Sequence, residues 1–230
     1  MPLTAKASTT LSPKTQELWF NFTAYNVRWS MPDKLAYSLN LGPLHLVSFN
    51  TETPDDTGSI DAPEVAWLDA DLAKANASRA ATPWLVAGAH RPLYCTNGGK
   101  TDKDCVGFAG VMRGQAEAVL ARHGVDLVLG AHMHGYERTQ AVLAGKVVTA
   151  ATNGSTTYVA AGAPVYIVNG AGGNREGNEN PSGAEAWSVP GAHTGAIGFG
   201  VLSVTFDRMD YAFVVASDGS VFDSAVWLKE

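Results

Sequence analysis

The most informative stretch of this chain is VDLVLGAHMHGYERT, residues 125–139, where an apolar run ends in a glycine and two histidines. Residues 125–129 form a short, mostly apolar run before a glycine, which is typical of a buried strand followed by a tight turn. In an extended chain His132 and His134 would point the same way, about 6.6 Å apart. They could bind one metal ion or two neighbouring ions, or they could be polar residues that close a strand.

The residues before this stretch alternate between strand and helix patterns. Residues 35–53 predict two strands joined at Gly42 and Pro43. The segment PWLVAGAH, residues 83–90, predicts another strand, and His90 is its last residue. Between them, residues 61–76 predict a helix with Asp61 as its N-cap. Residues 108–124 predict a second helix that Gly124 ends. This order of strands and helices is typical of an α/β fold.

The residues after about 140 have the pattern of a mostly antiparallel β region. Asp218 and Gly219 predict a hairpin turn within it. The segments that predict strands are KVVTAATNGSTTYVAAG (146–162), PVYIVNGAGG (164–173), GFGVLSVTFDR (198–208), YAFVVAS (211–217) and SVFDSAVWL (220–228).

The composition excludes some classes of partner. The chain has 230 residues and a formal net charge of −6, so it has no general attraction for nucleic acid or for an anionic membrane. No apolar stretch approaches the 18 or more residues that a membrane-spanning helix needs. We therefore expect a globular protein that binds neither nucleic acid nor membrane, and the sequence leaves a homo-oligomer open.

Three histidines follow two of the predicted strands in corresponding ways, each after an apolar run and a glycine. They are His90, His132 and His134. In open α/β sheets, ligands bind beyond the carboxyl ends of the strands, and neutral imidazole suits zinc, iron and manganese. The three residues are therefore candidate metal ligands. The alternative is that all three are hydrogen-bonded residues at the rim of the sheet.

Three sequons and two cysteines bear on the compartment of the protein. The sequons begin at Asn21, Asn76 and Asn153, and the cysteines are Cys95 and Cys105. If the cysteines are bridged, they close one small loop; paired cysteines can also remain free. Residues 1–19 contain no apolar segment of a signal peptide. Together these features favour a secreted protein whose true amino terminus lies outside this sequence.

Several motifs resemble those of the metal-dependent phosphoesterases, and among them the purple acid phosphatases. GAHRPLYC (88–95) resembles the family motif GHxPxY, and GAHMHGYER (130–138) resembles GHxHxYER. Segments 22–32, 46–53, 164–177 and the tail from 198 resemble family segments in the same order. The resemblance implies a calcineurin-like metallophosphoesterase sandwich with α/β/β/α layers. In this interpretation residues 19–230 form the C-terminal part of the catalytic domain with its β region, and residues 1–18 are a disordered or non-native segment.

The resemblance also implies an activity and a cofactor. Family members hydrolyse phosphate monoesters with a metal-bound hydroxide at a dinuclear centre that contains Fe together with Zn, Mn or Fe. Carried over by position, His90 and His132 match ligands of the divalent ion, and His134 matches a ligand of the iron. The resemblance suggests no catalytic residue beyond these ligands. It also implies a disulfide between Cys95 and Cys105, and a secreted or vacuolar location.

The family motifs GDxG, GDxxY and GNHE are absent from this sequence. Only three of the seven family ligands are therefore present, and we expect a fold that is incomplete at its N-terminus. Two alternatives to a phosphatase stay open: a non-catalytic chain that binds one metal ion or none, and a binding β-sandwich with incidental histidines. Arg91, next to His90, is a candidate phosphate contact, although an exposed rim arginine is more often only solvated.

Overall fold

The computed structural model describes residues 27–28, 35–52, 58–98, 102–152 and 156–229. Segment 1–18, most of the family-like segment 22–32, and the sequon residues Asn21 and Asn153 lie outside these ranges. No helix in the described ranges is long and apolar enough to cross a membrane.

The first half of the chain forms strands and helices in the predicted order. The hairpin of β1 (Tyr37–Leu41) and β2 (Leu44–Ser48) turns at Gly42, and it is followed by helix α1 (Ala62–Asn76) and strand β3 (Trp84–Gly88). The predicted N-cap is confirmed, because the Asp61 side chain accepts a hydrogen bond from the Glu64 N–H. Helix α1 buries Leu68, Leu72 and Ala75, the face that its periodicity predicted.

The second helical stretch, residues 103–122, begins earlier than the sequence predicted. Its turns alternate between π-helical and α-helical segments, namely Lys103–Phe108, Ala109–Met112, Arg113–Glu117 and Ala118–Arg122. The early start has a local cause, because the Asp102 side chain accepts a hydrogen bond from the Cys105 N–H and so caps the first turn. Strand β4 (Leu127–Gly130) follows after a turn at Gly124, whose φ is 65°.

The remaining strands form most of the β structure. They are β5 (Tyr136–Leu143), β6 (Lys146–Thr149), β7 (Thr157–Val159), β8 (Val165–Asn169), β9 (Ser188–Thr194), β10 (Gly198–Val204), β11 (Arg208–Val215) and β12 (Val221–Leu228). The hairpin predicted at Asp218 and Gly219 joins β11 to β12. Most of these pairings are antiparallel, as the sequence indicated.

Two sheets and one helical layer make up the described fold. The larger sheet has the order β1-β2-β3-β4-β8-β5-β6, with β9 paired to β5, and its central strands β2, β3, β4 and β8 are parallel. The smaller sheet has the order β10-β11-β12-β7. One apolar cluster lies between the helices and the larger sheet, and a second lies between the two sheets. The predicted fold class is confirmed, with the described residues forming one helical and two β layers.

Candidate metal centre

His90 and His132 meet because they follow neighbouring parallel strands. Strands β3 and β4 pair in register, with Gly88 opposite Leu129. The pairing continues past the strand ends, where the Ala131 N–H donates to the His90 carbonyl at 2.8 Å. The two rings therefore lie edge to face, and His132 Nδ1 is 3.0 Å from His90 Nε2.

The backbone at His132 has an unusual conformation. Its φ is 42°, in the left-handed region, and among the described residues only Ala144 and Ala160 share this feature without being glycine. Such a conformation costs on the order of 1–3 kcal/mol and persists only where the surrounding structure enforces it. Strain of this kind is concentrated at functional sites, which supports a functional role for the turn that carries His132.

Charged side chains surround the two histidines. Arg91 donates from Nε to Glu52 at 2.9 Å and from Nη1 to Asp104 at 2.6 Å, and its Nη1 is 3.3 Å from His132 Nε2. Asp104 Oδ2 lies 3.5 Å from the same His132 nitrogen. Burial is the largest single influence and opposes ionisation of Asp104, but the interactions with Arg91 and His132 together outweigh it and lower the pKa of that carboxyl group.

The histidine nearest to these charges stays neutral into the acid range. Burial, followed by the positive charges of Arg91 and His90, lowers the pKa of His132 from 6.5 to about 4. A neutral imidazole is the form that binds a metal ion. His132 is therefore competent to bind a cation at mildly acid pH.

The same pKa shift predicts how the stability of the metal-free protein depends on pH. Between pH 6.5 and about 4 the unfolded chain binds a proton at His132 that the folded chain does not, so stability falls as the pH is lowered through this window. We expect the melting temperature, measured with chelator present, to fall less between pH 7 and 4.5 in His132→Asn than in the wild type. An identical fall in both proteins would contradict this assignment.

His134 does not join the two other histidines. The described residues contain one group of three potential ligands whose donor atoms all lie within 4.8 Å of one another, and it consists of Glu52, His90 and His132. His134 instead faces Glu176, with Nδ1 3.9 Å from Oε2. The structure thus brings together two of the three histidines identified from the sequence.

Sequence reasoning missed Glu52 and Asp104. Glu52 lies four residues beyond the end of β2, which is the parallel neighbour of β3, so the rule that ligands bind beyond strand ends applied to it as well. Asp104 reaches the site from the start of the second helical stretch. No local pattern in the sequence indicated that contact.

The expectation that Arg91 is an exposed rim residue is wrong. Its side chain is 2% exposed and lies over the Phe108 ring. The ion pairs with Glu52 and Asp104 offset the cost of removing the guanidinium charge from water. Direct contact between Arg91 and a phosphate stays a prediction. The contacts present show that Arg91 holds two carboxylates beside the histidines.

Cys95 and Cys105 form a disulfide, as the family resemblance implied. Their Cα atoms are 5.5 Å apart, and the bond ties the loop after β3 to the start of the second helical stretch. Asp104 is the neighbour of Cys105, so the disulfide also restrains the segment that carries Asp104 to the histidines.

Removing this disulfide should destabilise the protein moderately. The bridged residues are 10 positions apart, for which loss of loop-closure entropy corresponds to about 2.7 kcal/mol. We expect the double variant Cys95→Ala/Cys105→Ala to lose about that much free energy of unfolding in urea titrations. Dithiothreitol should destabilise the wild type by a similar amount and leave the double variant unchanged. A loss well below 1 kcal/mol would contradict the prediction.

Comparison with known proteins identifies the family. The model of the calcineurin-like phosphoesterase family matches residues 11–136, and a model described as iron/zinc purple acid phosphatase-like protein C matches residues 163–224. Acid phosphatase type 7 of Danio rerio is 39% identical over 185 residues, which cover 71% of this chain and 40% of the relative. Acid phosphatase type 7 of Homo sapiens is 36% identical over 189 residues, which cover 76% and 42%.

A solved structure has a similar fold. The purple acid phosphatase from yellow lupin (Lupinus luteus) seeds superimposes with a TM-score of 0.71 at 22% identity, over 85% of this chain and 33% of that chain. Because the first family model covers more than half of the sequence, the chain belongs to the calcineurin-like phosphoesterase family. The resemblance to purple acid phosphatases within that family is confirmed. The chain spans about two fifths of the length of the curated relatives described above.

Proposed function

We propose that this chain carries the histidine side of a metal centre in an acid phosphatase, which hydrolyses phosphate monoesters. The observation that carries the proposal is the 3.0 Å distance between His90 Nε2 and His132 Nδ1 at the ends of two neighbouring parallel strands. Two imidazole nitrogens so placed can bind the same cation. The relatives of this chain are named acid phosphatases, which supports the same activity.

The donor atoms of the described residues fit one divalent ion better than two. They provide a single three-ligand group, and His134 lies outside it. Family resemblance favours a two-ion centre of Fe with Zn, Mn or Fe, in which His134 would serve the second ion. A bound ion would act as a Lewis acid toward a phosphoryl oxygen. His90 and His132 would hold that ion, and Asp104 would orient the His132 ring through Nε2.

Phosphatase assays on the full chain test this proposal. We expect hydrolysis of p-nitrophenyl phosphate at pH 5 that depends on added Zn²⁺, Mn²⁺ or iron and is slower on bis(p-nitrophenyl) phosphate. His90→Ala and His132→Ala should each abolish it. Activity that persists in both variants would contradict the proposal, as would activity insensitive to chelation.

A second candidate function is metal binding without catalysis. It is favoured by the observation that the described residues bring together one group of metal donors rather than two. In this case metal analysis would show one bound ion for each chain, the visible spectrum would show no colour from a ferric centre, and the phosphatase assays would show no hydrolysis. A metal-loaded chain that hydrolyses the monoester would eliminate this candidate.

We further infer that the protein is a secreted or vacuolar glycoprotein. Asn76 is exposed at the C-terminal end of α1, where an oligosaccharide would find room, although its side chain accepts a hydrogen bond from Arg79. The Cys95–Cys105 disulfide favours an oxidising compartment. After expression through a eukaryotic secretory pathway, endoglycosidase should lower the mass of the protein. The loss of mass should be smaller for Asn76→Gln than for the wild type. A mass unaffected by endoglycosidase would overturn the inference.

A further inference from the structure

Glu52 faces the two histidines although the family motifs assign it no role. Its Oε1 lies 3.8 Å from His90 Nε2, the same nitrogen that His132 Nδ1 approaches at 3.0 Å. Glu52 is partly buried and lies four residues beyond the end of β2. Three donors from three consecutive parallel strands of the larger sheet therefore converge.

The separations among the donors suit a single small cation. Ligand atoms that lie about 2.0–2.2 Å from a tetrahedral zinc ion are about 3.3–3.6 Å from one another. His90 Nε2 is 3.0 Å from His132 Nδ1 and 3.8 Å from Glu52 Oε1, distances that lie on either side of that range. The donor atoms of the three residues all lie within 4.8 Å of one another. Small side-chain rotations would bring them to binding distance. Two histidines and one glutamate form a ligand set that zinc uses in proteins.

The charges near the donors also favour a cation. Arg91 forms ion pairs with both Glu52 and Asp104, so these three described groups carry one net negative charge. Arg91 Nε donates to Glu52 Oε1, which is also the oxygen that faces His90, and each carboxylate oxygen has about two acceptor sites. Glu52 can therefore keep its contact with Arg91 and still offer an oxygen to a metal ion.

Asp104 can set the protonation of His132 that such an ion requires. A metal bound at Nδ1 leaves the proton of the neutral ring on Nε2, which would then donate to Asp104 Oδ2, 3.5 Å away, in place of the present 3.3 Å contact with Arg91 Nη1. A carboxylate behind a metal-binding histidine is a common arrangement that fixes the ring and strengthens its basicity.

We propose that Glu52 is a metal ligand, and that Glu52, His90 and His132 together bind one divalent cation without His134. The proposal rests on the proposed function, because it uses the same two histidines and adds the carboxylate that completes their site.

Calorimetric titration of the metal-free full chain with Zn²⁺ tests the ligand set. We expect one ion for each wild-type chain and binding at least about tenfold weaker in Glu52→Gln, because loss of even an indirect partner of a ligand commonly costs 10–100-fold. His134→Ala should retain single-ion binding. Glu179→Gln is the matched control, since Glu179 is exposed near the same rim but outside the group, and it should bind like the wild type.

Titration with Co²⁺ provides a second measurement that does not depend on stability. The visible absorption of bound Co²⁺ reports its ligands directly, so the spectrum of Glu52→Gln should differ from the wild-type spectrum. Unchanged Zn²⁺ affinity and an unchanged Co²⁺ spectrum in Glu52→Gln would overturn the proposal and leave Glu52 as the ion-pair partner of Arg91. If His90→Ala also bound Zn²⁺ normally, the proposed function itself would fail.

Discussion

Replacing Asp223 with asparagine should lower the free energy of unfolding by about 3–5 kcal/mol, the largest loss of stability that we expect from one substitution. Asp223 on β12 accepts two hydrogen bonds from Arg138 on β5, at 2.7 Å and 2.8 Å, and therefore joins the two sheets. The Tyr136 hydroxyl donates to the same carboxylate at 2.6 Å. Asp223 lies 85 positions from Arg138 in the sequence.

The expected loss is large because Arg138 stays charged in the interior. Its side chain is 1% exposed. Burial is the largest single influence and lowers the pKa of the guanidinium group, but the hydrogen bonds to Asp223, its charge, and the interactions with Tyr158 and Tyr136 together raise it. Asparagine offers one acceptor and no charge, so the variant would leave a buried cation without its counter-ion.

An exposed pair of the same residue types provides the matched control. Arg208 and Asp210 on β11 also form an ion pair, at 2.5 Å, but their side chains are 49% and 38% exposed. Surface pairs contribute little, so Asp210→Asn should leave the urea midpoint almost unchanged. If Asp223→Asn and Asp210→Asn were equally stable, Arg138–Asp223 would not be the link between the sheets that we describe.

Local patterns were sufficient to predict the part of the fold that positions the histidines. Apolar runs that end in glycine indicated β3 and β4, and the helix between them implied that these strands are parallel. Parallel neighbours bring their carboxyl ends to one edge, which is why His90 and His132 meet. The N-cap of α1 and the hairpin at Gly219 were likewise local features.

Features that depend on distant residues were not predictable in the same way. Strand β9 contains Pro190 and Gly191, residues that disfavour strands. Among the described residues its ladder partner is β5 alone, and the edge that faces away from β5 can accommodate the proline. The burial of Arg91 depends on carboxylates 39 and 13 positions away in the sequence. The separation of His134 from the other histidines depends on the turn between β4 and β5, whose conformation no periodicity determines.

Gly170→Ala should weaken Zn²⁺ binding at least about tenfold, although Gly170 contacts no metal donor. Gly170 follows β8, and its N–H donates to the Gly135 carbonyl at 3.1 Å, under the turn that carries His132 and His134. A methyl group there would overlap the Met133 carbonyl oxygen and would lie 2.9 Å from the Met133 carbonyl carbon. The turn would have to move, and His132 with it, because both clashing atoms belong to the backbone of that turn.

The matched control lies two residues further along the chain. A methyl group on Gly172 would meet nothing within 4 Å, and neither glycine has a φ that excludes alanine. Gly172→Ala should therefore bind Zn²⁺ like the wild type. Gly170→Ala should lose Zn²⁺ affinity and, in addition, about 1–3 kcal/mol of the free energy of unfolding through overpacking. Calorimetry and urea titration on both variants separate the two effects. Wild-type Zn²⁺ affinity in a folded Gly170→Ala protein would contradict the prediction. It would mean that the turn can shift without displacing His132, and that metal binding does not depend on the strained backbone of His132.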